Sequence, residues 1–301
     1  MTTPLTEHRV GRLVLSLPAE MRRAGQEHVL CSSVYVEERE WTSSNGYKKV
    51  WSDWLQKLSE QRSPPGVWEI LIEQREIAPR CQAVLAHDNE HDRTIRTWFA
   101  LLDAGSHGVW MKCAREHHAP EQALARLYAV ARSYRPIEKR GSFLPESWFY
   151  LERGAITGFP LKGEYTSVQF EGAPLGPGHQ LCVRVVPGAE AQSGHMGRLR
   201  RALALGLSEE STVTILRTGP RRVAGFEGEE LIIQVETEDS EHLRWVWSYS
   251  GQPGALHAPC IELSMHAMGD AREEKLRLWE NILESIRHLL PQPPAPWLQL
   301  L

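Results

Sequence analysis

No stretch of this sequence is apolar for long enough to cross a bilayer. Its opening residues, M-T-T-P-L-T-E-H-R-V-G-R, lack the apolar core of a signal peptide. As written, the chain is expected to be cytoplasmic and not inserted in a membrane. It would be periplasmic if a leader had been removed. No C-x-x-C occurs, and the five cysteines, Cys31, Cys81, Cys113, Cys182 and Cys260, are odd in number, which excludes complete internal pairing. Most fall in apolar, strand-like runs, where a small buried thiol is the expected role. There is no continuous basic stripe either. A formal net charge of −4 with both signs interspersed gives nucleic acid no electrostatic footprint.

Signatures of catalysis are equally scarce. Nucleophilic hydrolysis commonly uses a G-x-S-x-G elbow, which is missing, and the serines of "GSHG" at 105–108 and "YSGQPG" at 249–254 lie between extended runs, as turns do. The run "HDNEHD" places His87, Asp88, Glu90, His91 and Asp92 together. It lacks the H-E-x-x-H spacing that sets two ligands on one helix face, and it falls where a hairpin turn is expected. His117 and His118 precede a helix start at Pro120. The pairs Glu229–Glu230 and Glu273–Glu274 cannot converge on one bond from a strand or a helix, so they read as solvated charges. No metal or cofactor is expected, and the chain reads as a non-enzyme.

What the sequence does contain is regular structure. Strand-like runs include "RLVLSLP", "HVLCSSVYVEERE", "VWEILIEQR", "PRCQAVLAH", "TIRTWFALLDAG" and "GVWMKCAR", with helices expected over "GYKKVWSDWLQKLSEQR" and "APEQALARLYAVARSYRP". From Gly141 a similar order recurs, through "HQLCVRVVP", a short helix at "GHMGRLRRALALGL", then "STVTILRTGPRRVAG", "EELIIQVET", "HLRWVWSYSG" and "CIELSMHA". A last helix, "DAREEKLRLWENILESIRHLL", carries Asp270 as candidate N-cap with Glu273 three residues on. Its apolar face comprises Leu276, Trp279, Ile282, Leu283, Ile286 and Leu290, and a Pro-rich tail follows. The fold class is therefore α+β, with two similar lobes, each an antiparallel sheet flanked by helices, over residues 1–140 and 141–301.

The segment "RRVAGFEGEELIIQVE" at 221–236 looks at first like a phosphate loop, but no helix follows its glycines. Leu231, Ile233 and Val235 alternate as in a strand, so the glycines make a connector. Eleven tryptophans are many for 301 residues, and Trp245, Trp247 and Tyr249 share one strand face, which is expected to be core.

"HRVGRLVLSLPAEMRRAG", together with "RRVAGFEGEELIIQVE", "RWVWSYSG", "PCIELSMHA" and "LRLWENILESIRHLL", resembles the two-domain immunity proteins that neutralise type VI secretion lipase effectors. The resemblance covers nearly the whole chain. It implies a non-enzymatic protein that binds a cognate lipase or phospholipase effector and blocks it sterically, with no nucleic-acid partner. In that family the G-F-x-G-E-E segment belongs to the scaffold, and relatives usually carry an export signal. Arg9 stands before V-G-R where many relatives would have Cys.

An adaptor or chaperone that carries an effector without inhibiting it is the alternative, and a hydrolase or metal-dependent enzyme using His87 and His91 is a third reading. Partner contacts are expected on acidic loop tips beside a cleft: Glu37, Glu38, Glu40, Asp88, Glu90, Asp92, Glu238, Asp239 and Glu241.

Overall fold

The computed structural model describes residues 4–41, 46–60, 70–87, 94–113, 120–137, 148–157, 163–186, 212–238, 240–252, 255 and 258–289. In chain order the first elements are β1 (Leu5–Val10), β2 (Leu13–Pro18), β3 (Arg22–Leu30), β4 (Val34–Glu40), α1 (Gly46–Glu60), β5 (Leu71–Ala78), β6 (Cys81–His87), β7 (Arg96–Asp103), β8 (His107–Cys113) and α2 (Pro120–Ser133). Then come β9 (Tyr134–Pro136), β10 (Phe149–Tyr150), β11 (Gly154–Ile156), β12 (Tyr165–Glu171) and β13 (Gln180–Val186). The last are β14 (Thr212–Val223), β15 (Phe226–Glu236), β16 (Glu241–Tyr249), β17 (Cys260–Met268), α3 (Arg272–Ser285) and β18 (Arg287–His288). The molecule is mostly β, with large antiparallel sheets and three helices among the described residues. None of these helices is long and apolar enough to cross a membrane.

By contacts the chain forms two units. Residues 27–137 with 148–164 make one, and residues up to 26 with those from 165 onward make the other. This partition differs from a cut at residue 140 in placing β1 and β2 with the C-terminal elements and β10 and β11 with the N-terminal ones. The reason lies in pairing: β2 is hydrogen-bonded between β1 and β18, with Val14 opposite Arg287. Leu13, Leu15 and Leu17 share a core with Trp245, Trp279 and Ile282.

In the first unit the strands run β3-β4-β8-β7-β6-β5. Period-two alternation sends Trp98, Ala100, Val109 and Met111 to one face, where α2 covers them with Ala123, Leu127 and Val130. Val84, Ala86 and Leu101 form the other face, under α1. There Trp51 stacks on Trp54 at 5.2 Å, and Trp54 meets Trp110 edge-on at 5.3 Å. In the second unit the strands run β12-β13-β17-β16-β15-β14. Counted within itself, each of these six-stranded sets reads first, second, sixth, fifth, fourth, third in chain order, with a helix after the sixth strand. The short helix expected at "GHMGRLRRALALGL" lies outside the described residues.

Several local expectations are corrected. "HVLCSSVYVEERE" is two strands, because Cys31 and Ser32 adopt φ of 52° and 62° and turn the chain between β3 and β4. Asp270 does not cap α3. Ala271 takes that position in a left-handed conformation, and the Asp270 carboxylate instead accepts from Lys275 at 2.5 Å. The helix stops at Ser285, since Ile286 is extended and leads into β18. β12, with Thr166, Val168 and Phe170 inward, was not anticipated although its alternation is clear. All five thiols are free.

The G-F-x-G-E-E segment is a hairpin, with its turn one step earlier than its two glycines suggest. Ala224 and Gly225, at φ of 52° and 88°, make a two-residue loop that pairs Val223 with Phe226. Gly228 lies inside β15, where an added Cβ would fall 2.6 Å from the Trp247 ring. That glycine makes room for a fully buried tryptophan. Phe226 packs on Tyr249 at 4.8 Å.

Candidate functional site

The acidic residues expected at loop tips divide into four groups. Asp88, Glu90, Asp92 and Asp239 lie outside the described residues, as does His91. Glu37 and Glu40 are exposed, but they stand on β4 and not on a loop. Glu37 holds Arg39 at 2.7 Å, and Glu40 pairs with Arg153. Glu238 and Glu241 are exposed and flank the turn between β15 and β16, which is closed by Thr237 N–H donating to the Ser240 carbonyl at 2.8 Å. His87 closes β6 and is buried.

Glu38 is a correction. The alternation of β4 that exposes Glu37 turns Glu38 inward with Val34 and Val36, and its side chain is 1% exposed. Its carboxylate accepts from the Tyr134 hydroxyl at 2.6 Å and from the backbone N–H groups of Glu152 and Arg153 at 2.9 and 2.7 Å. His107 Nε2 stands 2.5 Å from the Tyr134 oxygen. Burial, reinforced by the Glu38 charge, pushes the Tyr134 hydroxyl well above its ordinary range, while burial holds the His107 imidazole below its own. The self-consistent proton order is Ser106 to His107, His107 to Tyr134, Tyr134 to Glu38. A charged carboxylate is tolerated in the interior because three O–H and N–H donors meet it. Glu38 therefore ties β4 to β9 and to residues 152–153, and it is unavailable to a partner.

Glu230 is a second correction, since it is no solvated charge. It is 3% exposed and accepts from Trp279 Nε1 at 2.7 Å and Arg221 Nη1 at 3.0 Å, with Arg217 at 3.4 Å. Both arginines also reach Glu280, whose carboxyl is held below its usual range chiefly by the Arg221 hydrogen bond. This network clamps α3 onto the β14–β15 hairpin.

Three histidines that no sequence spacing linked come together in the C-terminal unit. His179 immediately precedes β13, His242 is the second residue of β16, and His266 lies on β17, the strand between them. Their ring centroids are 4.6 to 5.4 Å apart. Burial is the main reason that His242 and His266 protonate below the ordinary imidazole range, with His266 lowered to about 4. Only the adjacency of three strands reveals this group, because 63 residues separate His179 from His242. On the same face of the sheet as His266, Gln180, Leu231, Ile233, Arg244 and Glu262 line a cavity of about 290 Å³.

The fold has solved counterparts. The chain superposes on the apo structure of immunity protein TplEi of T6SS from Pseudomonas aeruginosa with a TM-score of 0.79 and 18% identity, over 95% of this chain and 97% of that one. A chain of the Tle4-Tli4 complex matches with a TM-score of 0.78 and 17% identity, over 94% and 97%. TplEi complexed with "L" peptide matches at 0.73 and 16%, over 96% and 99%. The family follows. Residues 151–289 match the model described as the Tle cognate immunity protein 4 C-terminal domain. The resemblance carried by the sequence motifs is thereby borne out. No curated protein matches significantly.

Proposed function

We propose that this protein is a non-enzymatic immunity protein, which binds a type VI secretion lipase effector and blocks it sterically. The observation that carries the reading is the family match over 151–289, joined to a fold shared along nearly the whole chain with immunity protein TplEi of T6SS and with a chain of the Tle4-Tli4 complex. The common strand order of the two units supports reading the chain as two lobes of one plan. A tight inhibitor would bury about 1,600 Å² around a few anchors. The exposed carboxylates Glu37, Glu40, Glu238 and Glu241 are the candidate contacts, suited to a basic patch on the effector.

Affinity capture with the purified chain from a lysate of its source cell, followed by a lipase assay of the retained protein, tests the reading. A lipase that is silent while bound and active after dissociation is the expected result. A lipase active while bound would make the protein an adaptor, and retention of no lipase would overturn the proposal.

A further inference from the structure

We infer that His179, His242 and His266 bind a divalent cation of the zinc class, through three imidazole ligands with one coordination position left open. This is independent of the immunity reading. A metal site needs ligands fixed by a framework and aimed at a common point. His242 pairs in register with Met268, and Arg244 with His266, so His242 and His266 are diagonal neighbours on one face of adjacent strands. The third ligand comes from the turn leading into β13. Gly176 and Gly178, at φ of 92° and 72°, bend the chain there, and Met268 N–H donates to Leu175 O at 3.3 Å, binding the turn to the end of β17.

The hydrogen bonds around the rings select which nitrogens face inward. His179 Nδ1 contacts the Pro177 carbonyl at 2.7 Å, which leaves Nε2 directed at His242. His242 Nε2 contacts Ser240 Oγ at 2.8 Å, which leaves Nδ1 directed at His179, and these two inward nitrogens are 3.2 Å apart. His266 Nε2 is buried and has no hydrogen-bond partner. Carbonyl and hydroxyl partners on the outer nitrogens are the support that orients imidazole ligands toward a metal. One ring nitrogen of each histidine lies within 4.8 Å of those of the other two.

Zinc–nitrogen bonds of about 2.0–2.1 Å in a tetrahedral site put ligand nitrogens about 3.3 Å apart. The His179–His242 pair already has that spacing, and small rotations of the rings bring the third nitrogen in. Binding moves the proton of His242 to Nε2, where Ser240 Oγ accepts it, and gives the cation the Nδ1 lone pair. Arg244, opposite His266, is a charge that opposes the cation. It is exposed, so water screens it.

Calorimetric titration of zinc chloride into the full-length, metal-free chain tests the assignment, with cobalt(II) added in parallel for its visible spectrum. The expected result is one zinc per chain, a four-coordinate cobalt spectrum and a zinc-dependent rise in Tm. His242→Gln, at a half-exposed position, should lose at least about tenfold in affinity, and so should His179→Gln. Both should retain the circular dichroism and melting of the metal-free parent. Binding only at millimolar zinc, or affinity unchanged in both variants, would overturn the assignment.

Discussion

Replacing Glu230 with alanine tests how the C-terminal unit is held together. The change leaves Trp279 Nε1–H without its acceptor inside a core where Trp279 has no exposed surface. An orphaned buried donor costs about 1–3 kcal/mol. Arg221, whose side chain is 18% exposed, loses one of two carboxylates but keeps Glu280, so its share is smaller. Breaking a fully buried ion pair, at about 3–5 kcal/mol, is the upper bound. The expected total is about 3 kcal/mol, and Glu230→Gln, which keeps an acceptor for Trp279, should cost roughly half of that.

The partition is checked by a double-mutant cycle with Trp279→Phe. In that background no indole N–H remains to be orphaned, so Glu230→Ala should cost about 1–3 kcal/mol less than in the parent. Two units need not unfold together, so the measurement is urea-dependent hydrogen exchange read on peptides from β15 and α3. A cost below about 1 kcal/mol, or a coupling near zero, would refute the clamp.

Gly228→Ala should destabilise the same unit by about 1–3 kcal/mol, because its methyl meets the Trp247 ring and the Ser248 carbonyl, and chemical denaturation will show it. Ala224→Asn should stabilise the hairpin by up to about 1 kcal/mol, since an Asn-Gly pair suits the two left-handed positions better than Ala-Gly, and a lower Tm would count against that turn assignment. Folded His107, facing Tyr134, Glu38, Asp103 and Arg153, protonates below the unfolded value of 6.5, so unfolding takes up a proton as pH falls below 6.5 and the N-terminal unit weakens there. His107→Gln should flatten that part of the stability profile. Reversing Glu238 and Glu241 to lysine should slow association with the captured lipase and change its salt dependence while leaving Tm unaltered, and an unchanged association rate would remove this turn from the interface.

Most of the architecture was open to reading in the sequence because it follows from local chemistry. Period-two alternation located β13 to β17, and period 3.6 located the three helices among the described residues. The alternation of Trp245, Trp247 and Tyr249 put both tryptophans in the core, where the structure has them fully buried. The motifs from Arg221 to Leu290 also pointed to the immunity-protein family. What local pattern could not supply is what stands opposite each residue once the strands pair. Glu38 and Glu230 look like ordinary surface acids until Tyr134, the backbone at 152–153, Arg221 and Trp279 are brought to them from distant segments. Gly228 is spaced like a turn glycine, and only the neighbouring strand shows that a tryptophan ring requires the space. His179, His242 and His266 carry no spacing signature, because a constellation drawn from two strands and the turn into a third is set by sheet order, and sheet order is a property of the whole chain.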